Sequence, residues 1–240
     1  MNYRRVNRSL MRVLLLPALA CTGAKAPAGG AETPGAAERR DTATIATTAP
    51  KTDPIVTRAD LGRILGDSTA KVWVIVVSDF QCPYCRQWHH ESYSALRDEY
   101  VTTGKVRLAF VNYPLSQHAN ALPAAQAAMC AGEQGKFWQM HDAIFVNQAR
   151  WASLPSVDTL FASLARGAGV DTKRWSACLA SDAMRPLIQA DQSRTSAAGV
   201  RQTPSFLIGE RLLAGAVPMT AMRATIDSAL AEARSGSRVP

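Results

Sequence analysis

The chain has 240 residues, 47% of them apolar, and a formal net charge of +8. Such a length and apolar share allow one sizeable core with sequence to spare. The basic excess forms no run and does not interleave with aromatic residues, so it reads as a solvated surface and argues against a nucleic-acid partner.

Arg4, Arg5, Arg8 and Arg12 precede Val13-Leu14-Leu15-Leu16-Pro17-Ala18-Leu19-Ala20, with no acidic residue before Glu32. A charged region, a short apolar core and a small-residue exit make residues 1–20 a secretory signal peptide. The apolar run is far short of the ~20 residues that a membrane span needs. Ala18-Leu19-Ala20 suits ordinary signal peptidase. Together with Cys21 it also resembles a permissive bacterial lipobox, although Ala18 stands where leucine is preferred. Three routes stay open, a lipoprotein anchored through Cys21, plain secretion, and an uncleaved signal anchor. Removing residues 1–20 takes away four arginines and no acid, which lowers the formal charge from +8 to +4. Residues 21–53 are rich in Ala, Gly, Pro and Thr, with Ile45 their one large apolar residue. They cannot bury enough surface to offset their ordering entropy and read as a disordered tether.

The folded part starts near Pro54, with a short helix or turn at Ala59–Leu65. Lys71–Val77 is almost wholly β-branched or aromatic and reads as a buried strand. Pro83 follows Cys82, and proline favours the first helical position. Cys82 is thereby placed at the N-cap, facing unpaired N–H groups and the positive end of the helix dipole. Both stabilise a thiolate, the form that attacks disulfides. Ser78-Asp79-Phe80-Gln81-Cys82-Pro83-Tyr84-Cys85 is thus read as a redox centre, with Tyr84 exposed between the cysteines. The helix runs to about Thr102 on the spacing Cys85, Trp88, Ser92, Leu96 and Tyr100, with Trp88 in the core. Zinc would need a second ligand pair at suitable spacing. His89 and His90 follow Cys85 too closely for that, and a redox pair is preferred over zinc and over an inert disulfide. Gly104 ends the helix, and Val106–Tyr113 is a second strand closed by Pro114.

Residues 118–198 read as an all-helical block. Ala119–Ala131 is alanine-rich; Phe137, Trp138, His141, Ile144 and Phe145 share a helical face, with His141 as a core histidine. Val157–Ala165, Lys173–Ala180 and Met184–Ala197 follow, separated by Gly167, Gly169 and Asp182. Cys130 and Cys178 both fall in this block and are read as a structural disulfide, two buried free thiols being the alternative. Gln202-Thr203-Pro204 then leads into Ser205–Ile208, Gly209-Glu210 and Arg211–Ala214, a hairpin signal. A last helix starts at Pro218 and runs to about Arg234.

This order of elements, the C-x-x-C after a strand, the Met129–Trp138 stretch and Thr203-Pro204 before a strand resemble the thioredoxin fold. The nearer resemblance, over about Asp53 to Arg234, is to DsbA-like disulfide oxidoreductases. It implies an α/β, thioredoxin-like fold in two parts, 54–117 and 199–236, with 118–198 as an inserted all-helical subdomain. It also implies that Cys82 attacks, Cys85 resolves, and Pro204 is a cis-proline beside them, with Thr203 and Tyr84 contributing to substrate binding. Three positions depart from the pattern. Val76 stands six residues before Cys82, where relatives often have a buried carboxylate that accepts the resolving cysteine's proton. Asp79 is better read as a loop residue than as its substitute. Gln202 replaces a frequent glycine, and Pro-Tyr between the cysteines is shared with glutaredoxins and some isomerases.

The expected function is an exported thiol-disulfide oxidoreductase that donates disulfides to unfolded or partly folded cysteine-containing proteins. The resemblance implies reoxidation by a quinone-coupled membrane protein and no organic cofactor or metal. Membrane contact is expected only through an anchor at Cys21. An isomerase or reductase, and a non-catalytic chaperone or binding module of the same fold, are the alternatives.

Overall fold

The run of β-branched residues expected near Lys71 forms β2 (Val72–Ser78), the central strand of a five-stranded sheet. This computed structural model describes residues 53–236. The expected signal peptide, Cys21 and all of the expected tether except Asp53 lie outside the described residues. The sheet order is β1-β3-β2-β4-β5, with β1 (Ile64–Leu65), β3 (Val106–Asn112), β4 (Ser205–Ile208) and β5 (Arg211–Ala214). β3 lies parallel to β2, while β4 pairs antiparallel with β2, and β1 and β5 close the edges antiparallel.

A helical run connects the two parallel strands, as a crossover must. It opens as α2 (Pro83–Trp88), passes through a π-helical turn at His89–Tyr93 and α3 (Ser94–Leu96), and ends in a second π turn at Arg97–Val101. The sequence spacing predicts one regular helix here; the structure replaces it with a continuous run interrupted by wider turns. Trp88, Leu96, Tyr100 and Val101 from this run pack on Val72, Val74, Val76, Val106, Leu108, Phe206 and Ile208 of the sheet. Met222 and Ile226 of α10 (Met219–Arg234) complete that core. Pro218 is the N-cap of α10 rather than its first residue.

Six helices stand between β3 and β4: α4 (Ala121–Gly132), α5 (Phe137–Val146), α6 (Gln148–Trp151), α7 (Asp158–Gly167), α8 (Thr172–Ser181) and α9 (Arg185–Ala197). Their alanine-rich and aromatic faces form a second core that takes in Phe80, Cys82, Cys85 and Phe110. The two cysteines of the motif are therefore packed with the helical block as well as standing at the end of the sheet. α6 was not visible as a separate helix in the sequence pattern.

At the N-terminal end the expectation of a helix or turn at Ala59–Leu65 is corrected. α1 (Pro54–Gly62) starts earlier, because Asp53 caps it through the Ile55 N–H at 2.8 Å and Pro54 occupies its first turn. Ile64–Leu65 then leave the helix to pair with β3. α1 lies so close to α4 that a Cβ on Gly62 would sit 2.5 Å from the Gly132 carbonyl oxygen.

Candidate active site

Ser78 ends β2, and the chain turns through Asp79, Phe80 and Gln81 before α2. Asp79 holds this turn: its carboxylate accepts from the N–H of Gln81 at 2.7 Å and of Leu115 at 2.8 Å, and meets His118 Nδ1 at 2.7 Å. At 1% exposure that carboxylate is committed to the loop. Cys82 follows as the N-cap of α2 in extended conformation, and Pro83 occupies the first turn. The Cys82 N–H donates to the Asp79 carbonyl at 3.1 Å.

The helical block grips the same turn. Gln148 Nε2 donates to the carbonyls of Phe80 at 2.7 Å and Cys82 at 3.0 Å. Gln81 Nε2 donates to the Ala152 carbonyl at 2.7 Å, and its Oε1 accepts from the Asn120 N–H at 2.7 Å. Sequence reasoning missed Gln148 and Gln81. Gln81 stood only as a letter of the cysteine motif and Gln148 lies in a polar Asn147-Gln148-Ala149-Arg150 stretch, so no local signal marked either.

The two thiols of the motif are unpaired, and their environments differ. Both are buried, Cys82 at 4% exposure and Cys85 at 0%. The Cys82 thiol donates to the Thr203 carbonyl at 3.6 Å. Its pKa is lowered to about 6, foremost because the Cys85 thiol donates to it. Burial opposes the shift, while the Thr203 hydroxyl and the N–H groups of Cys85 and Tyr84 add to it. Thr203 Oγ1 is buried with no hydrogen-bond partner. Burial, reinforced by the neighbouring Cys82, pushes the Cys85 thiol well above its ordinary range.

Thr203-Pro204 is a cis peptide bond, placed against Cys82 by the 3.6 Å contact. Gln202, which replaces the frequent glycine, accepts from the Ser205 hydroxyl at 2.7 Å through its carbonyl. Tyr84 is 63% exposed. Trp88 is in the core, its ring on Phe206 and its Nε1 3.2 Å from Met222 Sδ. Cys130 and Cys178 form a disulfide between α4 and α8, with Cα atoms 5.7 Å apart.

His141 lies in the core, ringed by Phe80, Phe110, Phe137 and Phe145. Its Nδ1 is 2.8 Å from Asp142 Oδ1, and the same oxygen is 3.0 Å from His89 Nε2. Burial lowers the His141 pKa to about 4. Against partial burial, the two imidazoles hold the Asp142 carboxyl well below the usual carboxylate range. These three side chains offer ligand atoms within 4.8 Å of one another. A metal-bound imidazole needs a partner for its other N–H, and His89 Nδ1 is buried without one. The cluster is better satisfied as a hydrogen-bonded bridge between the helical run after Cys82 and α5.

Comparison with known proteins agrees with this architecture. A family model described as thioredoxin matches residues 59–228. The "Probable disulfide bond formation protein D" of Bacillus cereus is 29% identical over 62% of this chain and 70% of its own length. The Na(+)/H(+) antiporter NhaA 3 of Salinispora tropica is 33% identical over 75% of this chain, which spans only 27% of that protein. Among solved structures, BdbD from Bacillus subtilis superposes with a TM-score of 0.65 at 19% identity, covering 71% of this chain and 94% of that one. Wolbachia pipientis alpha-DsbA1 gives 0.65 at 21% identity, covering 72% and 93%.

Proposed function

The chain belongs to the thioredoxin family, with a DsbA-like architecture, and from that premise we propose that it is an exported disulfide donor acting through Cys82 and Cys85. The observation that carries this reading is the contrast between the two thiols: Cys82 at about 6, Cys85 well above its ordinary range. A thiol with a low pKa is a good leaving group, and stabilising the reduced pair makes its disulfide more oxidising. A substrate thiolate attacks Cys82 Sγ, and the electron pair of the broken S–S bond leaves with Cys85. A second substrate thiolate then attacks the substrate sulfur of the mixed disulfide, and Cys82 departs as thiolate. Thr203, with its carbonyl on Cys82, borders the attacked sulfur, and the exposed Tyr84 offers a surface for an extended, unfolded chain.

Export by way of residues 1–20, with Cys21 as the lipidation candidate, fits this activity because disulfides persist outside the cytosol. Cysteine-containing proteins not yet folded are the substrates, and a quinone-coupled membrane protein is the oxidant that regenerates the Cys82–Cys85 disulfide. The test is the equilibrium of the Cys82–Cys85 pair with glutathione, together with oxidation of a reduced, unfolded test protein. A potential above roughly −200 mV is expected, with oxidation abolished in Cys82→Ser. A potential near the roughly −270 mV of thioredoxin would replace the donor reading with a reductase.

A further inference from the structure

β2 and β3 pair in parallel register: Val72 with Val106, Val74 with Leu108, Val76 with Phe110, Ser78 with Asn112. Alternate residues of a strand share a face, and all eight of these are buried. Three pairs are apolar. The fourth, at the strand ends from which the redox turn departs, sets a hydroxyl beside an amide. Asn112 is 0% exposed, and neither its Nδ2 nor its Oδ1 has a protein partner. Its backbone is provided for, with the N–H donating to Asp191 Oδ2 at 3.2 Å. Buried side-chain amides are almost always paired, because leaving them bare is costly. The unpaired amide therefore stands out at this place in the fold.

The neighbouring group that changes its charge is Cys85. When ionised, its sulfur accepts from the Asp79 N–H and from the Ser78 hydroxyl. The carboxylate expected six positions before Cys82 is absent, Val76 being part of the apolar column, and the Asp79 carboxylate is occupied in its loop.

We propose that the Ser78–Asn112 pair is where Cys85 exchanges its proton, a water between amide and hydroxyl being the carrier. The proposal rests on the reading of Cys82–Cys85 as a redox pair. Amide N–H, amide oxygen and hydroxyl together provide three polar partners, the usual number for a buried water. As substrate thiolate bonds to Cys82 Sγ, the S–S bond breaks and its electron pair stays on Cys85. The Ser78 hydroxyl and the Asp79 N–H receive that thiolate. The water gives Cys85 a proton and is reprotonated from solvent, which holds the proton that the substrate thiol released on ionising. In reoxidation the same proton leaves by the same route. Asn112 and Ser78 are thus positioning residues for proton transfer.

The test uses two variants of the full chain, Ser78→Ala and Asn112→Leu, the latter close to asparagine in shape. The Cys85 pKa is read by thiolate absorbance in a Cys82→Ser background, and the pH profile of disulfide opening by dithiothreitol is read with Cys82 present. Each variant is expected to raise the Cys85 pKa by roughly one unit and to move the profile to higher pH. An unmoved pKa and profile in folded variants would overturn the proposal. Should Asn112→Leu fail to fold, Ser78→Ala alone decides, by the same outcomes. Failure of the redox reading shows differently: the unmodified oxidised protein would leave a reduced test protein unoxidised.

Discussion

At the scale of single residues, the chemistry rests on how differently Cys82 and Cys85 are solvated. Both are buried, but Cys82 keeps 4% exposure and is surrounded by donors, whereas Cys85 is completely enclosed. Thr203→Val keeps the side-chain shape and removes one of those donors. The Cys82 pKa should then rise from about 6 by roughly one unit, read as a shift in the pH profile of its alkylation. The same group sets a pH dependence of stability. A thiol whose pKa is depressed on folding stabilises the reduced protein above its unfolded pKa, and loses that contribution as pH falls through the folded value. Reduced protein should therefore lose melting temperature relative to oxidised protein as pH drops from 9 towards 6, the interval between the ordinary and the shifted value. A difference that stays constant across this interval would contradict the thiolate assignment. The raised Cys85 acts only at higher pH, because it stays protonated throughout that interval.

Among the elements, the helical block does more than cover the sheet. Its Gln148 holds the carbonyls on either side of the redox turn, so the precision of the turn depends on the block staying in place. The Cys130–Cys178 disulfide ties α4 to α8 across 48 positions of sequence. Loop-closure entropy for that span is worth roughly 4 kcal/mol. Replacing both cysteines with serine should lower the unfolding free energy by about that amount, or somewhat less, as measured in urea. The Cys82 pKa should stay unchanged in the folded variant, since the disulfide does not touch the turn. Equal midpoints for variant and unmodified protein would show that the bond constrains nothing the fold needs. In the sequence, the four cysteines besides Cys21, in a chain read as exported, suggested this pair, but spacing could not choose it over two free thiols.

Over the whole molecule, one buried ion pair joins parts that are distant in the chain. Arg63, at the end of α1, bonds to Asp191 of α9, and Asp191 also takes the Asn112 N–H of β3. Asp191 is 1% exposed and Arg63 6%. The pair thus fastens α1 and the last helix of the block to β3. Asp191→Ala leaves the guanidinium buried with only Asp60 near it, a loss of about 3–5 kcal/mol. Chemical denaturation checks this value, and a loss below about 1 kcal/mol would place the pair among ordinary surface bridges.

What the sequence determined by itself is local. The apolar run of β2, the Cys-Pro start of α2, the alanine-rich and aromatic helical faces and the Gly-X hairpin declare themselves within a few residues, because periodicity and turn chemistry act at that range. The DsbA-like order of elements followed from them. What only the tertiary structure decided involves partners far apart in the chain. Gln148 reaches Cys82 across 66 positions, His89 meets Asp142 across 53, and Ser78 gains Asn112 as a neighbour through strand register. No local pattern marks such residues: a polar side chain in a helix or at a strand end looks solvated until packing closes over it. Burial then turns each hydrogen bond, or the lack of one, into a large energetic difference. For that reason the paired Gln148 and the unpaired Asn112 became visible only in the folded chain.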